Sequence, residues 1–178
     1  MKWVLIVVGA VAALVALMAI IGLFLPREHQ AGAWVTLRQP AESVWQVVRD
    51  LGGLPRWWAQ MKLSERDTTR AGVERWRQEM SGFKSALVVE ADEPPHRLVT
   101  RIDSPPGASF GGSWTYEIAP VTEGTRVTVT ERGWIANPVF RFMSRFIFGY
   151  YGSLEGYLVA LGKRFGETVS PVRGSTPD

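Results

Sequence analysis

The sequence predicts an α+β domain behind an N-terminal transmembrane helix, on three observations. Residues 3–25 form an uninterrupted apolar run. From about residue 33 to residue 134 the chain falls into short alternating runs divided by turn residues. Beyond Asn137-Pro138, apolar side chains recur at steps of three and four residues.

Composition bounds the reading. The chain has 178 residues, 46% of them hydrophobic, 11% aromatic and 21% charged, which is a globular composition rather than a disordered one. Setting the apolar run aside leaves one domain of ordinary size, able to bury a core without staples. With no cysteine, disulfides, thiol catalysis and Cys-based zinc sites are excluded. The formal net charge is +3, with acids interleaved throughout. That lacks the one-sided basic stripe of a nucleic-acid surface, so no nucleic acid is expected as a partner.

The run WVLIVVGAVAALVALMAIIGLFL contains no charged, Asn, Gln, Ser or Thr residue. As a helix it would span roughly 35 Å, enough to cross a bilayer. A cleaved signal peptide is the alternative, with Lys2 as its basic start and Ala31-Gly32-Ala33 as a small-residue cleavage site. Against it, the run exceeds a usual signal core, and Arg27, Glu28 and His29 lie between it and that site. Residues 1–26 are therefore expected to be an uncleaved single-pass anchor, flanked by Trp3 and Pro26-Arg27 and followed by a linker of about six residues. The charge balance leans towards a domain outside the cytoplasm.

In the domain, residues 27–166, Ala33 to Arg38 alternate as a half-buried strand. Pro40 to Arg49 opens as a helix with proline in its first turn, and Gly52-Gly53 is expected to stop it. A second short helix, about residues 54–61, carries the adjacent Trp57 and Trp58. Six strands follow at roughly 62–69, 72–80, 83–92, 96–104, 111–120 and 124–134. Arg70-Ala71-Gly72, Ser81-Gly82, Glu93-Pro94-Pro95, Pro105-Pro106-Gly107 and Glu123-Gly124 divide them as antiparallel hairpins. Asn137-Pro138 starts one long final helix whose stripe is Phe140, Met143, Ile147, Tyr150, Leu154, Leu158, Leu161 and Phe165. Residues 167–178 read as a disordered polar tail.

This order of elements, with the first strand running into QPAESVWQVVRDL, the PRWW after it and the closing TRVTVTERG strand, resembles the START-related helix-grip superfamily (SRPBCC) over about residues 31–166. That superfamily includes polyketide cyclase/dehydrase, lipid-transport and birch-pollen-allergen-like proteins. The resemblance implies a curved seven-stranded antiparallel sheet gripping the last helix, with an apolar cavity between them for a hydrophobic small molecule or lipid. It implies a fold, not a reaction.

Strand phase then nominates a lining. Counting the apolar set as inward groups Trp76 with Gln78 and Met80, Leu98 with Thr100 and Ile102, Trp114 with Tyr116 and Ile118, and Val127 and Val129 with Glu131. The expected ligand-binding set is Trp57, Trp58, Trp76, Gln78, Thr100, Trp114, Tyr116, Glu131, Met143, Ile147 and Tyr150. Core packing is the plainer role for the tryptophans, and outward pairing beside Arg132 the plainer role for Glu131. His29 and His96 read as solvated surface residues, so no His triad or multi-His metal site is expected, and no cofactor. Residues 138–151, with residues 105–112, could form an apolar rim leaning on the bilayer. The expected function is a membrane-anchored carrier that binds a hydrophobic small molecule or lipid without covalent chemistry; the alternatives are a cyclase/dehydratase-type enzyme using Glu131 and Tyr116, and a tethered scaffold with a filled cavity.

Overall fold

A computed structural model of the chain describes residues 1–68 and 72–174. It is an α+β chain whose eight strands form one sheet in the order β2-β3-β4-β5-β6-β7-β1-β8, antiparallel throughout. The strands are β1 (Glu28–Leu37), β2 (Met61–Asp67), β3 (Arg75–Met80), β4 (Phe83–Glu93), β5 (Arg97–Ile102), β6 (Phe110–Val121), β7 (Gly124–Ile135) and β8 (Val172–Arg173). The helices are α1 (Lys2–Phe24), α2 (Ala41–Arg49), α3 (Pro138–Met143) and α4 (Gly152–Arg164). Of the expected Arg70-Ala71-Gly72 turn, all but Gly72 lies outside the described residues, as do residues 175–178.

The core follows the two periodicities. On β1, Ala31, Ala33, Val35 and Leu37 face inward at every second position, and on β7 Val127 and Val129 do the same. Leu154, Tyr157, Leu158 and Leu161 bring the buried stripe of α4 against them, while Val44, Trp45 and Val48 of α2 close another side. The alanines of β1 leave the room that Tyr157 and the leucines fill.

Four expectations are corrected. The final helix is two helices. α3 is capped by Asn137, whose side chain accepts from the amides of Val139 and Phe140. A π turn at Ser144–Phe148 then ends at Gly149, whose φ of 73° and extended ψ suit only glycine. The chain restarts as α4, so Ile147, expected on the inward stripe, is 56% exposed. Second, β1 begins at Glu28 rather than at residue 33, because the β7 ladder continues through Glu28↔Trp134 and the amide of Ile135 bonds the carbonyl of Arg27. No six-residue linker remains. Third, Gly52-Gly53 does not stop a helix but sits inside a 3-10 turn, Leu51–Arg56, where the Asp50 side chain accepts from the Gly53 amide. A Cβ at Gly53 would lie 2.2 Å from Asp50 Oδ2. Fourth, residues 167–174 of the expected tail are held. Glu167 accepts from the Arg38 amide and the Gln39 side chain, Val169 packs on the core, and β8 pairs with β1.

The helix α1 is long and apolar enough to cross a membrane, and residues 2–17 are exposed all round. Its last turns pack on α3. Gly22 allows this contact, since a Cβ there would fall 1.9 Å from the carbonyl oxygen of Pro138. Beside it the Arg141 side chain, 5% exposed, donates to the Leu25 carbonyl at 2.8 Å, placing a cation on the negative end of the α1 dipole.

Candidate functional site

The middle of the space between sheet and α4 is full. Tyr157 stands in it with its ring 5.4 Å from Trp57, 5.3 Å from Trp58, 6.0 Å from Trp114 and 5.4 Å from Tyr116. The 3-10 turn delivers Trp58 into the core, 4% exposed, and leaves Trp57 half-buried on its edge. Burial drives the phenol pKa of Tyr157 well above its ordinary value and raises that of Tyr116 as well, with a hydrogen bond to Thr100 working the other way for Tyr116. Neither phenol is an acid or base near neutral pH.

The room lies at one end of the sheet. Where β1 begins, β7 ends and β6 begins, a pocket of about 230 Å³ opens between the sheet and the broken last helix. Trp114, Glu131 and Trp134 wall it from the sheet, and Gly149, Tyr150 and Ser153 from the helix side. Trp114 and Glu131 face each other across the β6–β7 ladder. Glu131 points inward, not outward beside Arg132 as its plainer reading had it, and its two oxygens have separate donors. Trp114 Nε1 donates to Oε2 at 2.9 Å, and the Nε2–H of His29 donates to Oε1 at 3.1 Å. The His29 ring in turn stacks on Tyr150, centroids 4.2 Å apart and planes 16° apart. Gly133 makes the space for it, because a Cβ there would come within 2.5 Å of the imidazole Cε1.

His29 is not a solvated surface residue, as its sequence context suggests, for its side chain is 12% exposed. The signal that would have found it is the β1 alternation itself, which carries the inward phase from Ala33 and Ala31 back to position 29. Of the nominated residues, Trp114, Glu131 and Tyr150 line this pocket. Trp76 packs instead against the core and donates to Glu74, and Met143 is half-buried in α3. Gln78 donates to Ser64 and borders a wider groove of about 550 Å³ beside the 103–110 loop, which shares Ile102 and Phe110 with the first pocket. That groove is rimmed by Arg75, Arg77, Glu79 and Lys84, a mixed and solvated lining. On its far side, the His29 and Tyr150 pair also walls a third opening, of about 400 Å³, at the foot of α1 beside Leu25 and Arg145.

The Glu131 carboxylate keeps lone pairs for one further donor. Ionisable groups are thus gathered at one point of a mixed lining, in which Phe110, Trp114, Trp134 and Tyr150 stand beside Ser113, Ser144 and Ser153. Among the described residues no cluster of His, Asp or Glu has the makings of a metal site.

Comparison with solved structures finds the same architecture. A conserved protein from Geobacillus kaustophilus matches with a TM-score of 0.61 at 14% identity, covering 80% of this chain and 99% of that one. The Zhui aromatase/cyclase from Streptomyces matches at 0.58 and 14%, covering 77% and 93%. A START superfamily protein from Mycobacterium smegmatis matches at 0.56 and 18%, covering 76% and 96%. At these identities the likeness is one of fold. No curated protein matches the sequence. The model of one family, described as polyketide cyclase / dehydrase and lipid transport, matches residues 31–152, from the inward alanines of β1 to the start of α4, and the chain belongs to that family.

Proposed function

We propose that the chain is a membrane-anchored binding protein for a hydrophobic small molecule or lipid with one polar end, which enters the pocket beside Glu131. The observation that carries this reading is the Glu131 carboxylate, turned inward on an aromatic wall and positioned by Trp114 and His29. Polar groups converging in an apolar pocket orient a ligand. At about 230 Å³ the pocket is below the ~300–1,000 Å³ of drug-sized sites, so it admits a short molecule or one end of a longer one. Retention of α1 is supported by the span of β1, since cleavage near Ala31-Gly32-Ala33 would remove the start of β1 and His29 with it.

The test uses the full chain in lipid nanodiscs with a diazirine-bearing fatty acid. Adducts are expected on residues 110–114, 131–135 and 150. The Ser153→Trp variant, which fills the pocket from α4, is expected to lower labelling about tenfold, equivalent to ~1.4 kcal/mol. Labelling scattered over the surface and indifferent to Ser153→Trp would remove the proposal.

A second reading, acid/base catalysis of the cyclase or dehydratase kind, is favoured by the Glu131 to His29 contact, two ionisable groups converging in one pocket. It replaces Tyr116 by His29 as the partner of Glu131, because Tyr116 is sealed in the core. A captured native ligand whose mass changes on incubation, and does not change with Glu131→Gln, would support it.

A further inference from the structure

We infer that residues 138–148 lie in the headgroup layer of the leaflet in which α1 ends, holding the Glu131 pocket at the lipid surface; this rests on the reading of α1 as a membrane span. The 23 residues of α1 rise roughly 34 Å at 1.5 Å each, a few ångströms more than the ~30 Å of hydrocarbon in a bilayer. The last turn of α1 therefore reaches the boundary. It is against this turn, at Gly22 and Leu25, that Pro138 and Arg141 are packed, so α3 sits at the same level.

The outward side of that segment is apolar. Phe140 is 54% exposed, Phe146 59%, Ile147 56% and Phe148 66%, and at the end of α1, which packs on α3, Leu23 and Phe24 are exposed as well. Phe140 lies in α3, and the other three lie in the π turn that ends at Gly149. Exposed Arg27 and Arg145 stand among them, cations at the height of lipid phosphates. Apolar side chains below and arginines beside them are the pattern of a segment lying in the interface plane. Phe110, 41% exposed, belongs to the same end of the sheet, where the Ala136 amide bonds the Ser109 carbonyl.

Because Ser144, Gly149 and Tyr150 border the pocket, placing this segment at the headgroups brings the opening there too. A ligand with an apolar tail would then pass between leaflet and pocket without crossing water.

The chain has no cysteine, so single labels are unambiguous. Leu14→Cys, Glu123→Cys, Phe146→Cys and Phe148→Cys, each carrying an NBD fluorophore, are placed in full-length protein in phosphatidylcholine/phosphatidylglycerol nanodiscs with nitroxide lipids. Glu123 is the aqueous control, at the β6–β7 turn beside the far end of β1. The labels at 146 and 148 are expected to emit blue-shifted relative to 123 and to be quenched more by shallow than by deep nitroxides. The label at 14 should show the reverse order. Labels at 146 and 148 that behave like the one at 123, with 14 still quenched, overturn the placement alone. An unquenched label at 14 overturns the span and the placement with it. Blue-shifted but unquenched labels at 146 and 148 would show another protein copy covering the patch, which also overturns it.

Discussion

Tyr157 puts its hydroxyl, and Trp58 its indole N–H, into the core without a hydrogen-bond partner among the described residues. An unpaired buried polar atom costs about 1–3 kcal/mol. Tyr157→Phe keeps the ring contacts and removes one such atom, so it is expected to raise stability by roughly 1 kcal/mol, read as an increase in Tm. A fall would show that the hydroxyl meets a bound molecule. Gly133→Ala acts on the pocket instead. The added methyl must displace the His29 ring from Tyr150, and capture of the diazirine fatty acid is expected to drop while the Tm changes little. The inward phase of Gln78, Thr100, Tyr116 and Glu131 was legible from alternation, because a pleat leaves only two directions to choose from. His29 was not, since the apolar run before it suggested a tether and a polar pair, Glu28 and His29, does not look like a strand.

At the scale of elements, the break in the last helix sets where the room is. Gly149→Ala forces a Cβ into a φ of 73°, a strain of about 1–3 kcal/mol, and is expected to lower the Tm by an amount that Gly152→Ala, with ordinary helical backbone, does not. The three- and four-residue spacing from Phe140 to Phe165 concealed this break, because a π turn and the three residues 149–151 before α4 preserve most of the apolar rhythm. Elsewhere α2 is tied to the sheet through Arg49, which donates to Glu74 at 2.6 Å and 2.9 Å and to Asp92 at 2.8 Å. Burial opposes ionisation of Glu74, but the hydrogen bonds from Arg49 and Trp76 outweigh it and hold the carboxyl below its ordinary 4.5. A depressed carboxyl stabilises the fold above that ordinary value and stops doing so as pH falls through the lowered one. Glu74→Gln is therefore expected to cost about 1 kcal/mol at neutral pH after solvent screening, with the gap to the parent closing below pH 4.5 in acid-denaturation curves.

For the whole molecule, the sheet order and hairpins could be read from turn residues, whereas the filling of its hollow could not. Whether Trp58, Trp114, Tyr116 and Tyr157 meet at one point depends on sheet curvature and on the angle of α4, and neither is written in a strand pattern. The tie between helix and domain belongs at this scale as well. Arg141→Ala removes a charged donor from the Leu25 carbonyl, and a loss of roughly 2 kcal/mol is expected in nanodisc-embedded protein. Only Leu25, Pro26 and Arg27 separate α1 from β1, and Arg27 is already in the ladder. With so little slack the body cannot swing on a leash. Under the proposed anchored role it would turn as its stalk turns, so a donor or acceptor of the ligand would have to approach along a bearing fixed by that stalk.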